Sequence, residues 1–172
     1  LPGKGSYVTV KLNALLFKHF ERILDEDRHS QMQVLEVRDV LELAMFEKAA
    51  LNADADDIEA MEKIYEQMEK NLNEKIGYGD LDLKLHMQIA KATHNDIFPI
   101  LVRTLYESSG QRMMLMEDLF PDSMKSIHRD HLGIVEAIKR RDVKTVRKVG
   151  KRHFDVDRYM LLSMNELEVG SK

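Results

Sequence analysis

The sequence contains no cysteine and no tryptophan, and its 172 residues include only three prolines and eight glycines. The absence of cysteine excludes disulfides, thiolate zinc sites and cysteine nucleophiles, so any metal must be held by nitrogen and oxygen atoms. No apolar run approaches the roughly 20 residues that span a bilayer, and the first ten residues lack the apolar core of a signal peptide. We therefore expect a soluble, cytoplasmic protein that does not bind membranes.

An excess of positive charge is also absent. The chain has 26 Lys and Arg against 30 Asp and Glu, a net charge of −4, so no global field favours nucleic acid or an anionic membrane. Apolar residues make up 44% of the chain, which is enough for the core of one domain. We do not expect this chain to bind nucleic acid by itself.

The apolar residues recur with the 3.6-residue period of a helix from about residue 12 to residue 167. This pattern predicts an all-α protein, and short loops between long helices predict an antiparallel bundle of six to seven helices. The predicted helices span approximately 12–24, 32–52, 57–73, 80–93, 97–119, 121–140 and 142–168. Predicted N-terminal caps are Asp54 or Asp56, Asp80 and Asp142.

Four polar residues occupy positions in apolar helical stripes: Asp82, His86, His131 and His153. Asp82 and His86 are four residues apart and so share one helix face, while His131 and His153 fall on two neighbouring antiparallel helices. Burying such groups unpaired costs roughly several kcal/mol, and one shared cation would offset that cost. Three imidazoles and a carboxylate suit a divalent ion such as zinc, nickel, manganese or iron.

Other interpretations of these residues stay open. A histidine on an apolar face can be a hydrogen-bonded core residue, and Asp82 can be a second capping residue of its helix. His128 lies three residues before His131 and can replace it as a ligand.

Arg38 is a second anomaly, because it lies in the apolar stripe of the second helix. A buried guanidinium needs an anion, which is either an internal partner such as Glu42 or the carboxylate of a small ligand. Arg103 and Arg112 are further candidates, although a solvated face also explains them. The sequence lacks the two Glu-x-x-His motifs that ferritin-like di-metal bundles use, and it has no His-Glu-x-x-His, no phosphate-binding glycine loop and no nucleophile elbow, so we do not expect an enzyme.

The motifs resemble those of the C-terminal effector-binding domain, the FadR C-terminal or FCD type, of GntR-family bacterial transcription regulators. The resemblance covers nearly the whole chain. It rests on LEVRDVLE at 35–42, on DLKLH at 82–86 with Asn95, on DHLGIVEAI at 130–138, on Asp142 with His153, and on PGKGSYV at 2–8. The last of these is similar to the wing of the family's winged-helix DNA-binding domain.

The resemblance implies a domain organisation. Residues 1–10 would be a remnant of the winged-helix domain, 11–30 a linker helix, 31–168 the effector-binding and dimerisation domain, and 169–172 a tail. It further implies a homodimer that contacts operator DNA only through a winged-helix domain preceding this sequence.

The resemblance also implies the chemistry of the central cavity. One divalent metal ion per chain, with zinc as the first expectation, would be held by Asp82, His86, His131 and His153. A small organic acid would bind to the metal, with Arg38 and, on less evidence, Arg103 as carboxylate partners, and would modulate DNA binding. The alternatives are a metal-dependent helical-bundle enzyme acting on a small carboxylate or ester, and a purely structural metal site.

Overall fold

The computed structural model describes residues 28–74, 77–107 and 119–170, which form six principal helices. They are α1 (Arg28–Asn52), α2 (Ala55–Glu74), α3 (Tyr78–Lys91), α4 (Ile97–Glu107), α5 (Pro121–Lys139) and α6 (Val143–Gly170). These ranges contain no strand, and the predicted all-α class is confirmed. The predicted wing, the linker helix 12–24 and the second half of the predicted helix 97–119 lie outside the described residues. None of the helices described is long and apolar enough to cross a membrane.

The helix starts show which capping predictions hold. Asp54 caps α2, because the backbone N–H of Asp57 donates to its Oδ1 at 2.9 Å, and Asp142 caps α6 by accepting from the backbone N–H of Thr145 at 3.0 Å. The predicted cap at Asp80 is wrong. Helix α3 begins two residues earlier, after Gly77 with its left-handed φ of 65°, so Asp80 lies in the first turn, where its charge favours the positive end of the helix dipole.

The helices pack as an antiparallel bundle in which α6 lies between α1 and α5. Helix α1 runs antiparallel to α6, since Asp39 pairs with Arg158 at one end and Glu47 pairs with Arg147 at 3.0 Å nearer the other. Helix α3 packs against α2 and α4. The core between them is built from fully buried apolar side chains, including Met45, Phe46, Met61, Met68, Leu85, Ile89, Ile134, Ile138, Phe154 and Met160.

Two glycines allow α6 to approach its neighbours closely. A Cβ at Gly150 would lie 2.9 Å from Phe46 Cδ2 of α1, and a Cβ at Gly133 would lie 3.1 Å from Val149 Cγ1 of α6. Both glycines lie within three residues of a site histidine, His153 and His131 respectively. The small residues therefore let the helices that carry these histidines come together.

Candidate metal centre

The structure brings the four predicted site residues together in the middle of the bundle. Asp82 and His86 come from α3, His131 from α5 and His153 from α6, and no member is more than 1% exposed. One ring nitrogen from each histidine lies within 4.8 Å of the other two. Asp82 Oδ1 is 3.0 Å from His131 Nε2 and 4.0 Å from His86 Nε2. We call these four residues the buried set.

His86 is oriented by an acidic side chain on α1. Its Nδ1 contacts Oε2 of Glu42, which is completely buried. Burial would raise the pKa of Glu42, but the neighbouring Arg38 and His86 lower it below its usual range. An ionised carboxylate can only accept, so His86 Nδ1 must carry the proton of this hydrogen bond. In the neutral imidazole, Nε2 then offers its lone pair toward His131 Nε2, which is 3.2 Å away.

His131 is oriented by a chain of two tyrosines and a histidine. Its Nδ1 lies 3.2 Å from the Tyr78 hydroxyl, which lies 3.2 Å from His128 Nδ1. His128 Nε2 in turn lies 2.9 Å from the Tyr65 hydroxyl. If His131 Nδ1 and His128 Nε2 carry the protons, the Tyr78 hydroxyl accepts from His131 Nδ1 and donates to His128 Nδ1, while His128 Nε2 donates to Tyr65, and every bond is satisfied. His131 Nε2 then has a free lone pair.

The same contacts define the place of His128, the alternative ligand. Both of its ring nitrogens face tyrosine hydroxyls, and it does not belong to the group of converging histidine nitrogens. His131 belongs to that group, whereas His128 lies behind it.

The buried set contains polar atoms that the protein leaves without hydrogen bonds. Within the described part of the chain, the two oxygens of Asp82 and Nδ1 of His153 make no hydrogen bond. Asp82 Oδ1 lies 3.0 Å from His131 Nε2, but that nitrogen has no proton to donate when His131 carries its proton on Nδ1. Leaving such groups buried and unbonded is costly, and most of all for a charged carboxylate. Converging imidazole nitrogens and a carboxylate oxygen form a donor set that fits a divalent metal ion.

The electrostatics of His153 and Asp82 agree with that chemistry, whereas His86 has to release a proton to bind a metal: burial would lower the pKa of His86, but the carboxylates of Glu42 and Asp82 raise it. Burial, reinforced by the charges of His131 and His86, lowers the pKa of His153 well below its usual range. Burial alone would raise the pKa of Asp82, but the neighbouring His131 and His86 lower it instead. A neutral imidazole and an ionised carboxylate are the forms in which these side chains bind metals.

Arg38 lies beside the buried set and is itself only 5% exposed. Its Nε donates to Glu42 Oε1 at 2.9 Å, and its guanidinium lies 4.1 Å from the centre of the Tyr106 ring. The internal ion pair considered from the sequence is therefore present. Its Nη2, however, makes no hydrogen bond within the described residues and is 3.9 Å from Asp157 Oδ2. One donor of the guanidinium thus remains available to a further acceptor.

Arg103 lies on α4 and its side chain is exposed, whereas Arg38 and all four members of the buried set are buried. Arg112 lies outside the described residues. Among the described candidates, Arg38 is the arginine that lies beside the buried set.

An ion pair joins the helices that supply His131 and His153. Arg152 Nε on α6 donates to Asp130 Oδ1 on α5 at 2.8 Å. Each of these residues immediately precedes a histidine of the buried set. The ion pair therefore fixes the relative height of the two imidazoles.

The sequence analysis missed three neighbours of the buried set. Asp157 follows His153 by four residues on α6, and this spacing was a readable signal. Tyr106, whose ring lies 5.1 Å from that of His86, continues the apolar face of α4 and gave no signal of its own. Tyr78 could not be found from the sequence, because its contact with His131 joins residues 53 positions apart.

A second group of possible ligands lies on the surface: Asp54, Asp57 and His94. His94 Nε2 is 2.8 Å from Asp57 Oδ2 and 3.8 Å from Asp54 Oδ2. We call these three residues the exposed set.

Comparison with known proteins identifies relatives of the chain. The profile of the FCD domain matches residues 33–156. The Uxu operon regulator of Haemophilus influenzae is 23% identical over 170 residues, an alignment that covers 96% of this chain and 62% of that protein. The chain therefore spans less than two thirds of the length of this curated relative.

Two solved structures share the fold. The Streptococcus agalactiae GntR structure matches with a TM-score of 0.64 and 21% identity, over 75% of this chain and 58% of the other. The E. coli McbR/YncC structure matches with a TM-score of 0.72 and 13% identity, over 81% of this chain and 67% of the other. At such identities the likeness is one of fold.

Proposed function

This chain belongs to the FCD domain family, and we propose that it is the sensing domain of a GntR-type transcription regulator that binds one divalent metal ion and a small organic acid. The observation that carries the proposal is the convergence of three buried imidazoles and a buried carboxylate whose oxygens have no hydrogen bonds among the described residues. Asp82, His86, His131 and His153 would hold the ion. Zinc is the first expectation, since it commonly binds nitrogen and carboxylate oxygen in a four-ligand site.

The acid would bind between the metal centre and Arg38. A bound divalent ion supplies a Lewis-acidic position for one oxygen of a carboxylate or hydroxyl group. Arg38 Nη2 supplies a charged donor for a carboxylate, and the Tyr106 ring lies against both this guanidinium and His86. A lactate-like acid, a sugar acid and a dicarboxylate each carry these groups.

The acid would act on DNA binding through the longer protein. The curated relative is an operon regulator that is longer than this chain, and residues 2–8 resemble the end of a winged-helix domain. We propose that this domain joins a homodimer and that the acid changes the packing of the bundle against the linker helix predicted at 12–24. Only a difference in the acid's affinity for two arrangements can shift their populations. A full-length dimer that binds its operator equally with and without every acid that occupies the bundle would contradict this mechanism.

The matching family and relatives are transcription regulators and not enzymes, which argues against the enzyme alternative.

The experiment that tests the metal centre is elemental mass spectrometry of the purified protein after reconstitution with zinc. Alanine at His86, His131 or His153 should remove about one equivalent of metal. Alanine at His128, which is buried nearby but lies behind the set, is the matched control and should retain it. Wild-type protein that holds no metal would refute the centre. If it holds metal, a thermal-shift series with lactate, gluconate and succinate then tests the acid, and Arg38→Lys should reduce any shift.

A further inference from the structure

We infer that Glu42 is a positioning residue for the metal centre: it fixes the tautomer of His86 so that Nε2, and not Nδ1, faces the ion. The inference rests on the proposed metal site. It gives a function to a buried acidic residue that supplies no ligand atom.

The geometry assigns separate partners to the two oxygens of Glu42. Oε1 accepts from Arg38 Nε at 2.9 Å, and Oε2 contacts His86 Nδ1. Glu42 and His86 are both completely buried, so water does not compete for these bonds. Both of its oxygens are thus engaged by donors, Arg38 Nε and His86 Nδ1, which leaves the carboxylate to orient these side chains.

The chemical reason for such a residue is general. A histidine binds a metal through one nitrogen, and a carboxylate on the other nitrogen fixes the ring orientation and raises the basicity of the ligand. Here, removing the carboxylate would let the His86 proton move to Nε2, where it would face His131 Nε2 at 3.2 Å. A nitrogen that carries a proton at that position has no lone pair for a metal.

A simpler role for Glu42 is to neutralise Arg38. The substitution Glu42→Gln separates the two roles, because an amide has one accepting and one donating end. Arg38 can only donate, so the amide oxygen must face Arg38 and the NH₂ group must face His86 Nδ1. His86 then has to accept at Nδ1 and carry its proton on Nε2. Glu42→Gln should therefore reverse the tautomer while it keeps the shape of the side chain and a bond to Arg38.

The matched control is Asp39→Asn. Asp39 lies on the same helix and pairs with an arginine, Arg158 of α6, but it does not contact the buried set. This variant makes the same carboxylate-to-amide change next to a guanidinium, without reaching a histidine of the centre.

The experiment has two readouts. The first is the ¹⁵N chemical shift of both His86 ring nitrogens in metal-free protein, at a pH where the imidazole is neutral. The second is the Zn²⁺ affinity, measured by competition with a chromophoric chelator. We expect the proton on Nδ1 in wild type and Asp39→Asn and on Nε2 in Glu42→Gln. We expect the Zn²⁺ affinity of Glu42→Gln to fall by roughly 10- to 100-fold, with that of Asp39→Asn unchanged within a factor of about three.

The outcomes separate this inference from the proposed function. Wild-type protein that binds no Zn²⁺ refutes the metal centre and this inference with it. If wild-type protein binds Zn²⁺ and Glu42→Gln binds it as tightly as Asp39→Asn does, the inference is refuted and the metal centre is not. The wild-type ¹⁵N spectrum needs no variant to fold, and a proton on His86 Nε2 in that spectrum would also overturn the inference.

Discussion

The buried set and the exposed set contain the same kinds of side chains, histidine and aspartate. Nitrogens of three histidines converge in the buried set, with Asp82 next to His131 and His86, and Asp54, Asp57 and His94 converge in the exposed set. They differ in the bonds that these side chains already make. In the exposed set, Asp54 caps α2, and Asp57 accepts from Gln88 Nε2 at 3.2 Å and from His94 Nε2 at 2.8 Å. In the buried set, both oxygens of Asp82 and Nδ1 of His153 have no hydrogen-bond partner among the described residues.

The difference shows that proximity of ligand atoms does not identify a metal site. The exposed carboxylates also lie at the positive end of a helix dipole, which already favours negative charge there and needs no cation. Buried polar atoms without hydrogen bonds are rare, so each one calls for an explanation. The comparison predicts that a metal binds at the buried set and not at the exposed set.

The largest expected effect tests how far burial strengthens an ionic contact beside the buried set. Arg38→Ala removes the charged partner of Glu42 and leaves only its contact with His86; the Glu42 side chain is completely inaccessible, and breaking a buried ion pair costs about 3 to 5 kcal/mol of unfolding free energy. Arg140→Ala breaks the exposed pair with Glu136 and should cost at most about 1 kcal/mol. Urea denaturation of both variants measures this. Equal losses would contradict the distinction between the two environments.

The next effect is a pH dependence of the unfolding free energy, caused by the buried carboxyl of Asp157. Burial raises the pKa of Asp157 to about 7, even though Arg38 acts in the opposite direction. The native state therefore holds a proton that the unfolded chain releases near pH 4, so this contribution to stability is present below pH 4 and is lost as the pH rises through 7. The Asp157→Asn variant has no carboxyl at this position, so its stability lacks this pH dependence.

Between pH 4 and pH 8, the unfolding free energy of metal-free wild type should thus fall by about 2 to 4 kcal/mol relative to that of Asp157→Asn. Urea denaturation across that range, in the presence of a chelator, is the measurement. In the exposed set the pKa of Asp54 is instead lowered, chiefly by the backbone N–H of Asp57, so Asp54→Asn should show its difference only on acidification. A constant difference between wild type and Asp157→Asn at every pH would show that folding does not raise the pKa of Asp157.

Zinc binding compares the two sets directly. At a zinc concentration of about 100 times the dissociation constant, binding to the native state alone raises the unfolding free energy by about 2.7 kcal/mol. Differential scanning fluorimetry should show this stabilisation for wild type and His94→Ala and not for His131→Ala. Loss of the stabilisation in His94→Ala would mean that the exposed set binds the ion, and the comparison would be reversed.

The four residues of the buried set were predictable because each interrupts an apolar helical stripe. A polar residue in such a stripe is an exception that a single sequence reveals, as Arg38 also shows. Most helix bounds followed from the same period to within about two residues, and Asp54 and Asp142 cap as expected. Helix α1 is the exception, since it begins at Arg28 and not near residue 32. The failed cap at Asp80 arose because the sequence offered a good capping residue, while the chain turns earlier at Gly77 in a left-handed conformation.

The neighbours of the set could not be read in the same way. The contacts of Glu42 with His86 and of Tyr78 with His131 join different helices, and their register depends on packing. Gly133 and Gly150 set part of that register by allowing close helix crossings. In the sequence these glycines are simply weak helix formers, and only the structure gives them a packing role.

The smallest expected effect is the loss of stability when the exposed set loses one of its carboxylates. Asp57→Ala removes the acceptor of Gln88 and His94, bonds that we take to be structural, and each such bond contributes about 1 kcal/mol to stability. The urea midpoint should fall slightly, while the zinc content measured by elemental mass spectrometry should remain that of wild type. If zinc-loaded wild type holds two equivalents and Asp57→Ala holds one, the exposed set binds metal despite its internal hydrogen bonds. Counting unbonded buried atoms would then be an incomplete criterion for a metal site in this protein, because carboxylates that already cap a helix would have to be counted as ligands too.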